Sequence, residues 1–256
     1  MNIGLNGKVA LVAGGSRGCG LAISKELAEE GAFVVLTGRE PDIVAQAVEV
    51  IKNEGGRAHG VVGGMVTQKE ADRLVGEATE VFHTPDILVV NPPTPGNVEG
   101  FLHNSDEDYL AAHENYTMSL VRLSRLVIPA MQERRWGRII AMASIGVKTP
   151  HLRFSLPAQN TRVASAAVAK TMSYEFAKDN ITVNTIATGP FPSALSDEYN
   201  NSAGYAPDRI AKSTPMGRLG RTEEMAAIVA FLCSDRASFV SGETIRVDGG
   251  STLNLF

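Results

Sequence analysis

Cysteine is scarce. Cys19 and Cys233 are the only two in 256 residues, too few for a disulfide framework, and a reducing cytoplasm suits such a chain best. Long apolar runs are missing as well. None approaches the ~20 residues that span a bilayer, and the opening MNIGLNGKVALVAGG has neither the basic start nor the long apolar stretch of a secretory leader. A cytoplasmic protein with no membrane partner is expected. Positive charge is not in excess: 24 Lys and Arg stand against 28 Asp and Glu, a net charge of -4. That balance argues against a nucleic-acid partner, which selects for a basic face. The five histidines (His59, His83, His103, His113 and His151) are scattered, with no i, i+4 pair and no cysteine beside them. No metal site is expected. Repeats, low-complexity tracts and long linkers are also absent.

The chain does have apolar content, 44% of residues, and 25 glycines, enough for a large core with many tight turns. Val9–Ala13, Phe33–Thr37, Ala58–Val62, Ile87–Val90, Arg138–Ala143, Ile181–Ile186 and Thr244–Val247 read as strands. They are short, rich in β-branched residues and nearly continuous in apolar character, as strands covered on both faces are. Segments of helical length separate them, at 19–30, 42–54, 68–82, 106–134, 157–179 and 222–234. Strands alternating with helices require a parallel sheet with right-handed crossovers. The expected fold is a single α/β domain over 1–256, a Rossmann-type doubly wound sheet of about seven strands. The stretch 191–221 breaks the rhythm with Pro, Ser, Asn and Gly. Following a strand's carboxyl end, where such sheets bind ligands, it is expected to be a substrate lid.

Strand Val9–Ala13 runs into Gly14-Gly15-Ser16-Arg17-Gly18-Cys19-Gly20 and then a helix. Gly14, Gly18 and Gly20 let the backbone turn sharply, approach a pyrophosphate and pack helix against strand, while the helix N-terminus offers N–H groups to phosphates. Ser16 and Arg17 lie inside that loop. The second strand ends Leu36-Thr37-Gly38-Arg39, with arginine where an acid would select a ribose 2′-hydroxyl. Arg39 and Arg17 are suited to a 2′-phosphate, so NADP(H) is the expected cofactor. Two solvated surface arginines are the plainer reading. Cys19 reads as a small residue packed under the loop.

These motifs together resemble the short-chain dehydrogenase/reductase family over nearly the whole chain. Gly14, Gly18 and Gly20 match its Gly-x-x-x-Gly-x-Gly, Asn115 its mid-helix asparagine, and Ser144 in GRIIAMASIG its catalytic serine. ITVNTIATGP at 181–190, with Gly189, is similar to the segment that closes over the nicotinamide, and Ser193 stands at the usual threonine position. TPMGRLGRTEEMAAIVAFLCSD and SGETIRVDGG are close to the C-terminal signature. The resemblance implies an oxidoreductase acting on a small molecule.

Three departures bear on the chemistry. Counting back from Asn184, the family's Tyr-x-x-x-Lys falls on Ala158 and Arg162. A methyl cannot donate a proton, and arginine can replace lysine as a fixed charge and ribose donor but cannot exchange a proton near neutral pH. Asn-Asn-Ala-Gly is here Asn91-Pro92-Pro93-Thr94, and Gly64-Met65 replace an adenine-contacting aspartate. Other tyrosines do not fill the gap: Tyr174 lies four turns too far along, and Tyr116, next to Asn115, points roughly 100° away around its helix. Tyr199 and Tyr205 sit on the expected lid. Catalysis is therefore expected to fall to Ser144, Asn115 and Arg162, with hydride adding to a conjugated enone whose enolate needs no strong acid. A ketone reductase with a substitute proton donor and a cofactor-binding pseudo-enzyme are the alternatives. Lys148, His151 and Arg153 with Arg162 form a possible basic rim for an anionic substrate, or simply a solvated loop. Helices 106–134 and 157–179, apolar on more than one face, and the closing STLNLF suggest a homotetramer.

Overall fold

Each of the seven short apolar runs forms a strand in the computed structural model, which describes residues 3–93, 100–150, 155–192, 211–212 and 214–255. They are β1 (Val9–Ala13), β2 (Phe33–Gly38), β3 (Arg57–Val62), β4 (Ile87–Val90), β5 (Gly137–Ser144), β6 (Ile181–Thr188) and β7 (Thr244–Val247). All pair in parallel in the order β3-β2-β1-β4-β5-β6-β7. Val9 is in register with Phe33 on one side of β1, and Ala10 with Ile87 on the other.

The helices are α1 (Gly18–Glu29), α2 (Pro41–Asn53), α3 (Gln68–Val81), α4 (Asp106–His113), α5 (Ser119–Arg134), α6 (Leu156–Phe176) and α7 (Thr222–Cys233). Their starts follow from local chemistry. Thr67 and Glu70 close a capping box on α3, Ser105 and Asp108 another on α4, each satisfying donors that a helix N-terminus leaves open. Ser155 caps α6 by accepting from the Ala158 N–H at 3.4 Å, and Pro157 stands in the first turn, where its missing N–H costs nothing.

Successive strand residues face opposite sides, so one sheet builds two cores. Ala10, Val12, Val34, Leu36 and Ile140 pack under α1, α2 and α7 with Ile23, Val44 and Val229. Leu11, Ala13, Val35, Leu88 and Ile139 pack under α3, α5 and α6 with Leu74, Leu123 and Ala169. The expected helix at 106–134 holds as α4 and α5, joined by one π-helical turn over Glu114–Met118. At the amino-terminal edge, buried Asp86 accepts from the Val9 N–H at 2.9 Å and pairs with Arg134 at 2.8 Å. This stapling leaves the opposite, carboxyl edge for the site.

Of the stretch 191–221, the two ends meet: the Gly220 N–H donates to the Pro190 carbonyl at 2.9 Å, and the Phe191 ring lies against the Gly220 Cα. Residues 193–210 and 213 lie outside the described residues.

Candidate active site

The strand order reverses between β1 and β4, and chains leaving them in opposite directions open a crevice at the carboxyl edge. Gly14 lines it with a φ of +81°, and a Cβ there would come within 2.1 Å of the Asn91 carbonyl oxygen. Only glycine fits. Asn91 follows β4 and ties the walls together, its amide donating to the Gly14 carbonyl at 3.0 Å. Thr37 at the end of β2 completes the turn, accepting from the Gly14 N–H through Oγ1 at 3.0 Å and from the Gly15 N–H through its carbonyl at 3.0 Å. Gly20 must also be small, since its Cβ would meet the Gly14 carbonyl at 2.0 Å. Gly18 is different: its φ is +54° and nothing lies within 4 Å of an added Cβ, so that backbone faces open space. Arg17, the α1 N-cap, makes no side-chain cap bond.

Ser16 and Arg17 lie where the glycine turn meets the end of β2. A Cβ on Gly38 would come within 2.3 Å of the buried Ser16 hydroxyl. Arg39 is exposed just beyond. Arg17 reaches across to Glu40, Nη2 to Oε1 at 2.5 Å, with the two side chains 50% and 61% exposed. Glu40 is not among the residues expected from the sequence, because it lies past the strand end, where an acid would select the ribose hydroxyl. Its signal was its place beside Arg39 at the start of α2.

Asn115, Tyr116 and Arg162 converge on the segment after β4. The Asn115 amide and the Tyr116 hydroxyl both donate to the Pro93 carbonyl, each at 3.0 Å. Arg162 Nη2 donates to the Tyr116 oxygen at 3.2 Å, and its guanidinium lies over the ring, 4.3 Å from the centroid. Burial pulls Arg162 below the ordinary arginine value, and the Tyr116 hydroxyl works against that shift. The ring packs on Ala112 and on Ala158, which is 1% exposed. The expectation that Tyr116 points away is thus corrected. The π turn, with its i→i+5 bonding, displaces the helix register there, and the long phenol reaches the same carbonyl as Asn115. A π turn leaves no periodic mark in the sequence.

Ser144 ends β5, in register with Thr188, the residue before Gly189. Its Oγ accepts from the Gly146 N–H at 3.2 Å, and its own O–H has no acceptor among the described residues. Buried Gln159 of α6 presses on Gly146, where a Cβ would meet its Cγ at 2.8 Å. Gly189 touches the Asp248 backbone closely enough to exclude a Cβ. Lys148 follows on the turn after β5, half-buried. His151, Arg153, Ser193, Tyr199 and Tyr205 lie outside the described residues. The carboxyl edge thus brings together Gly14, Gly18, Gly20, Asn91, Ser144 and Gly189, while Asn115 and Tyr116 meet at the Pro93 carbonyl and Arg162 bonds to Tyr116. Among the described residues no three His, Cys, Asp or Glu side chains could hold a metal, and no helix is long and apolar enough to cross a membrane.

A family model described as enoyl-(acyl carrier protein) reductase matches residues 13–252. Human dehydrogenase/reductase SDR family member 4 is 31% identical over 98% of the chain and 90% of its own length. The chain belongs to the short-chain dehydrogenase/reductase family. It is also 31% identical to the 3-oxoacyl-acyl-carrier-protein reductase of Aquifex aeolicus, over 98% of this chain and 99% of that one. L-sorbose reductase from Gluconobacter frateurii, solved with NADPH and L-sorbose, superposes with a TM-score of 0.92 at 33% identity over 100% of both chains. Membership makes this chain an oxidoreductase enzyme, and it explains why the glycine turn, Asn115 and Ser144 share one edge of the sheet.

Proposed function

We propose that the protein is an NADPH-dependent reductase that adds hydride to the C=C bond of a small conjugated enone. The residues fit the cofactor. Gly18 leaves the space a Cβ would fill, the uncapped α1 terminus offers N–H groups to a pyrophosphate, and Ser16, Arg17 and Arg39 flank the end of β2, where a 2′-phosphate would lie. Asn91, Gly189 and Arg162 would line the nicotinamide half, with Ser193 as the remaining proposed contact. NADPH, when bound, supplies the hydride.

The observation that carries the reading is Ala158. A buried methyl in the first turn of α6, at the position we assign to the family's tyrosine, offers no proton to a carbonyl oxygen. Hydride addition to a ketone makes a strongly basic alkoxide, and losing a positioned acid there costs ~10²–10⁴ in rate. Addition to the β-carbon of an enone instead moves the π electrons toward the carbonyl oxygen as an enolate. Ser144, whose O–H is uncommitted among the described residues, donates to that oxygen, Arg162 contributes positive field, and water returns a proton to the α-carbon. Asn115 holds the Pro93 carbonyl and so the shape of the wall. A rim of Lys148 and His151 would favour an anionic substrate, and residues 191–221, drawn together at their base, would form the lid with Tyr199 and Tyr205.

The relatives that reduce carbonyl compounds support a second reading, ketone reduction with another proton donor. Large exposed apolar side chains on the helices of the expected tetramer, Leu110, Val163 and Tyr174, and near the C-terminus, Phe239 and Leu253, support a homo-oligomer. The test is NADPH oxidation against a panel of enones and ketones, with Ser144→Ala alongside. Enones should be the faster class, and Ser144→Ala should lose about 10²–10³ in kcat with NADPH affinity unchanged. Faster ketone turnover would transfer the proposal to carbonyl reduction. An unaffected Ser144→Ala would end the Ser144 mechanism.

A further inference from the structure

We propose that Tyr116 is the positioning residue for Arg162, and that residue 158 is small because the Tyr116 ring takes the space beside it. The inference rests on the reading that Ala158 and Arg162 stand where the family's Tyr-x-x-x-Lys pair stands, and it changes what that departure means. The phenol is not simply lost from α6. A phenol from the neighbouring helix fills the space and engages the cation.

Both valences of the Tyr116 oxygen are used. It accepts from Arg162 Nη2 at 3.2 Å and donates to the Pro93 carbonyl at 3.0 Å, while the ring supports the guanidinium face at 4.3 Å. A guanidinium is a planar fork, useful only when its plane is fixed, whereas an ammonium at the same place has three rotatable donors. An arginine at 162 therefore needs an orienting partner that a lysine would not. Next to Tyr116, the Thr117 hydroxyl donates to the Thr161 carbonyl at 3.0 Å, so the π turn is fastened to α6 at two successive positions. Pro93 closes the arrangement. With its φ fixed by the ring and its carbonyl held by Asn115 and Tyr116, it joins the segment after β4 to α6 through one phenol.

Packing gives the reciprocal constraint. Tyr116 is 2% exposed, and Ala112, Tyr116 and Ala158 form an apolar cluster separate from both sheet cores. A ring at 158 would need the volume that the ring at 116 occupies, so the two positions behave as one large–small pair.

Two readouts need neither substrate nor cofactor. Tyr116→Phe keeps the ring and removes both hydrogen bonds. Guanidinium N–H signals of Arg162, followed by NMR in the apo protein, should be sharp and slowly exchanging in the wild type and exchange at least about tenfold faster in Tyr116→Phe, with Tm little changed. Unchanged signals would overturn the positioning role. Ala158→Tyr should lower Tm by roughly 5 °C or more through overpacking, and the double variant Tyr116→Ala/Ala158→Tyr should be more stable than Ala158→Tyr alone. An undisturbed Tm in Ala158→Tyr would overturn the packing exchange. If neither enones nor ketones are reduced, the proposed activity falls while these results stand on their own. If reduction is found, Tyr116→Phe should lower kcat more than it alters KM.

Discussion

Replacing Glu40 by Gln should tighten NADPH binding about tenfold and leave NADH nearly unchanged. In the apo protein Glu40 holds Arg17 in a 2.5 Å ion pair, beside the exposed Arg39 and at the N-cap of α2. A 2′-phosphate arriving at the end of β2 must draw Arg17 away and then sit near the freed carboxylate. The pair is half exposed, so breaking it costs about 0–1 kcal/mol. Repulsion between a carboxylate and a phosphate charge at ~6 Å in water adds about 0.7 kcal/mol per unit charge, less after salt screening. Together these terms come to roughly 1–1.5 kcal/mol, or about tenfold in Kd. Arg39→Asp should act oppositely, cancelling the preference for NADPH. Fluorescence titration of both nucleotides with wild type, Glu40→Gln and Arg39→Asp measures this, at two salt concentrations because the repulsive part must shrink with ionic strength. If Glu40→Gln strengthens NADH and NADPH alike, or weakens NADPH, Arg17 is not a phosphate ligand. The reasoning from the 2′-phosphate would then be refuted.

Two further outcomes are expected. Gly14→Ala should abolish measurable nucleotide binding and cost about 2–4 kcal/mol of stability, because a Cβ at φ +81° would lie 2.1 Å from the Asn91 carbonyl; urea melts and the same titration check it, and a stable, binding-competent variant would contradict the crevice geometry. Cys19 and Cys233 should resist iodoacetamide in the native protein at pH 7.5, since burial pushes their thiols up to about 11 and about 12 and reactivity needs the thiolate. Mass spectrometry before and after unfolding decides this, and rapid native labelling of Cys19 would contradict its packing against the core that holds Ile23 and Val229.

The strands were legible because a parallel sheet covered on both faces writes itself as short, nearly unbroken apolar runs. The structure alters only their ends: β2 gains Gly38, β3 begins at Arg57, β5 spans Gly137–Ser144, and β6 runs to Thr188. The glycine turn was legible for a related reason. Gly14 and Gly20 are excluded-volume requirements, and excluded volume fixes residue type. The Arg17–Glu40 contact was not legible, because it joins two exposed side chains 23 residues apart and neither sequence position demands the other.

Tyr116 marks the limit of helical arithmetic most clearly. A rotation of ~100° per residue places neighbours on different faces only while the helix stays α, and Glu114–Met118 does not. A single π turn brings Asn115 and Tyr116 to one carbonyl, and that convergence cannot be inferred from 106–134 as an apolar-polar pattern. Ala158 shows the same limit from the other side. On the reading that it stands at the family's tyrosine position, it registers in the sequence only as a missing hydroxyl. In three dimensions its methyl packs against the Tyr116 ring, whose centroid lies 4.3 Å from the Arg162 guanidinium. The chemical consequence follows from which group carries the charge. On the proposed reading, Arg162 serves as a fixed cation oriented by Tyr116, since a guanidinium, unlike the lysine of the family's pair, is not a proton relay. On the function proposed above, enolate formation is the kind of reaction such a cation would favour, since it needs stabilised negative charge more than a transferred proton.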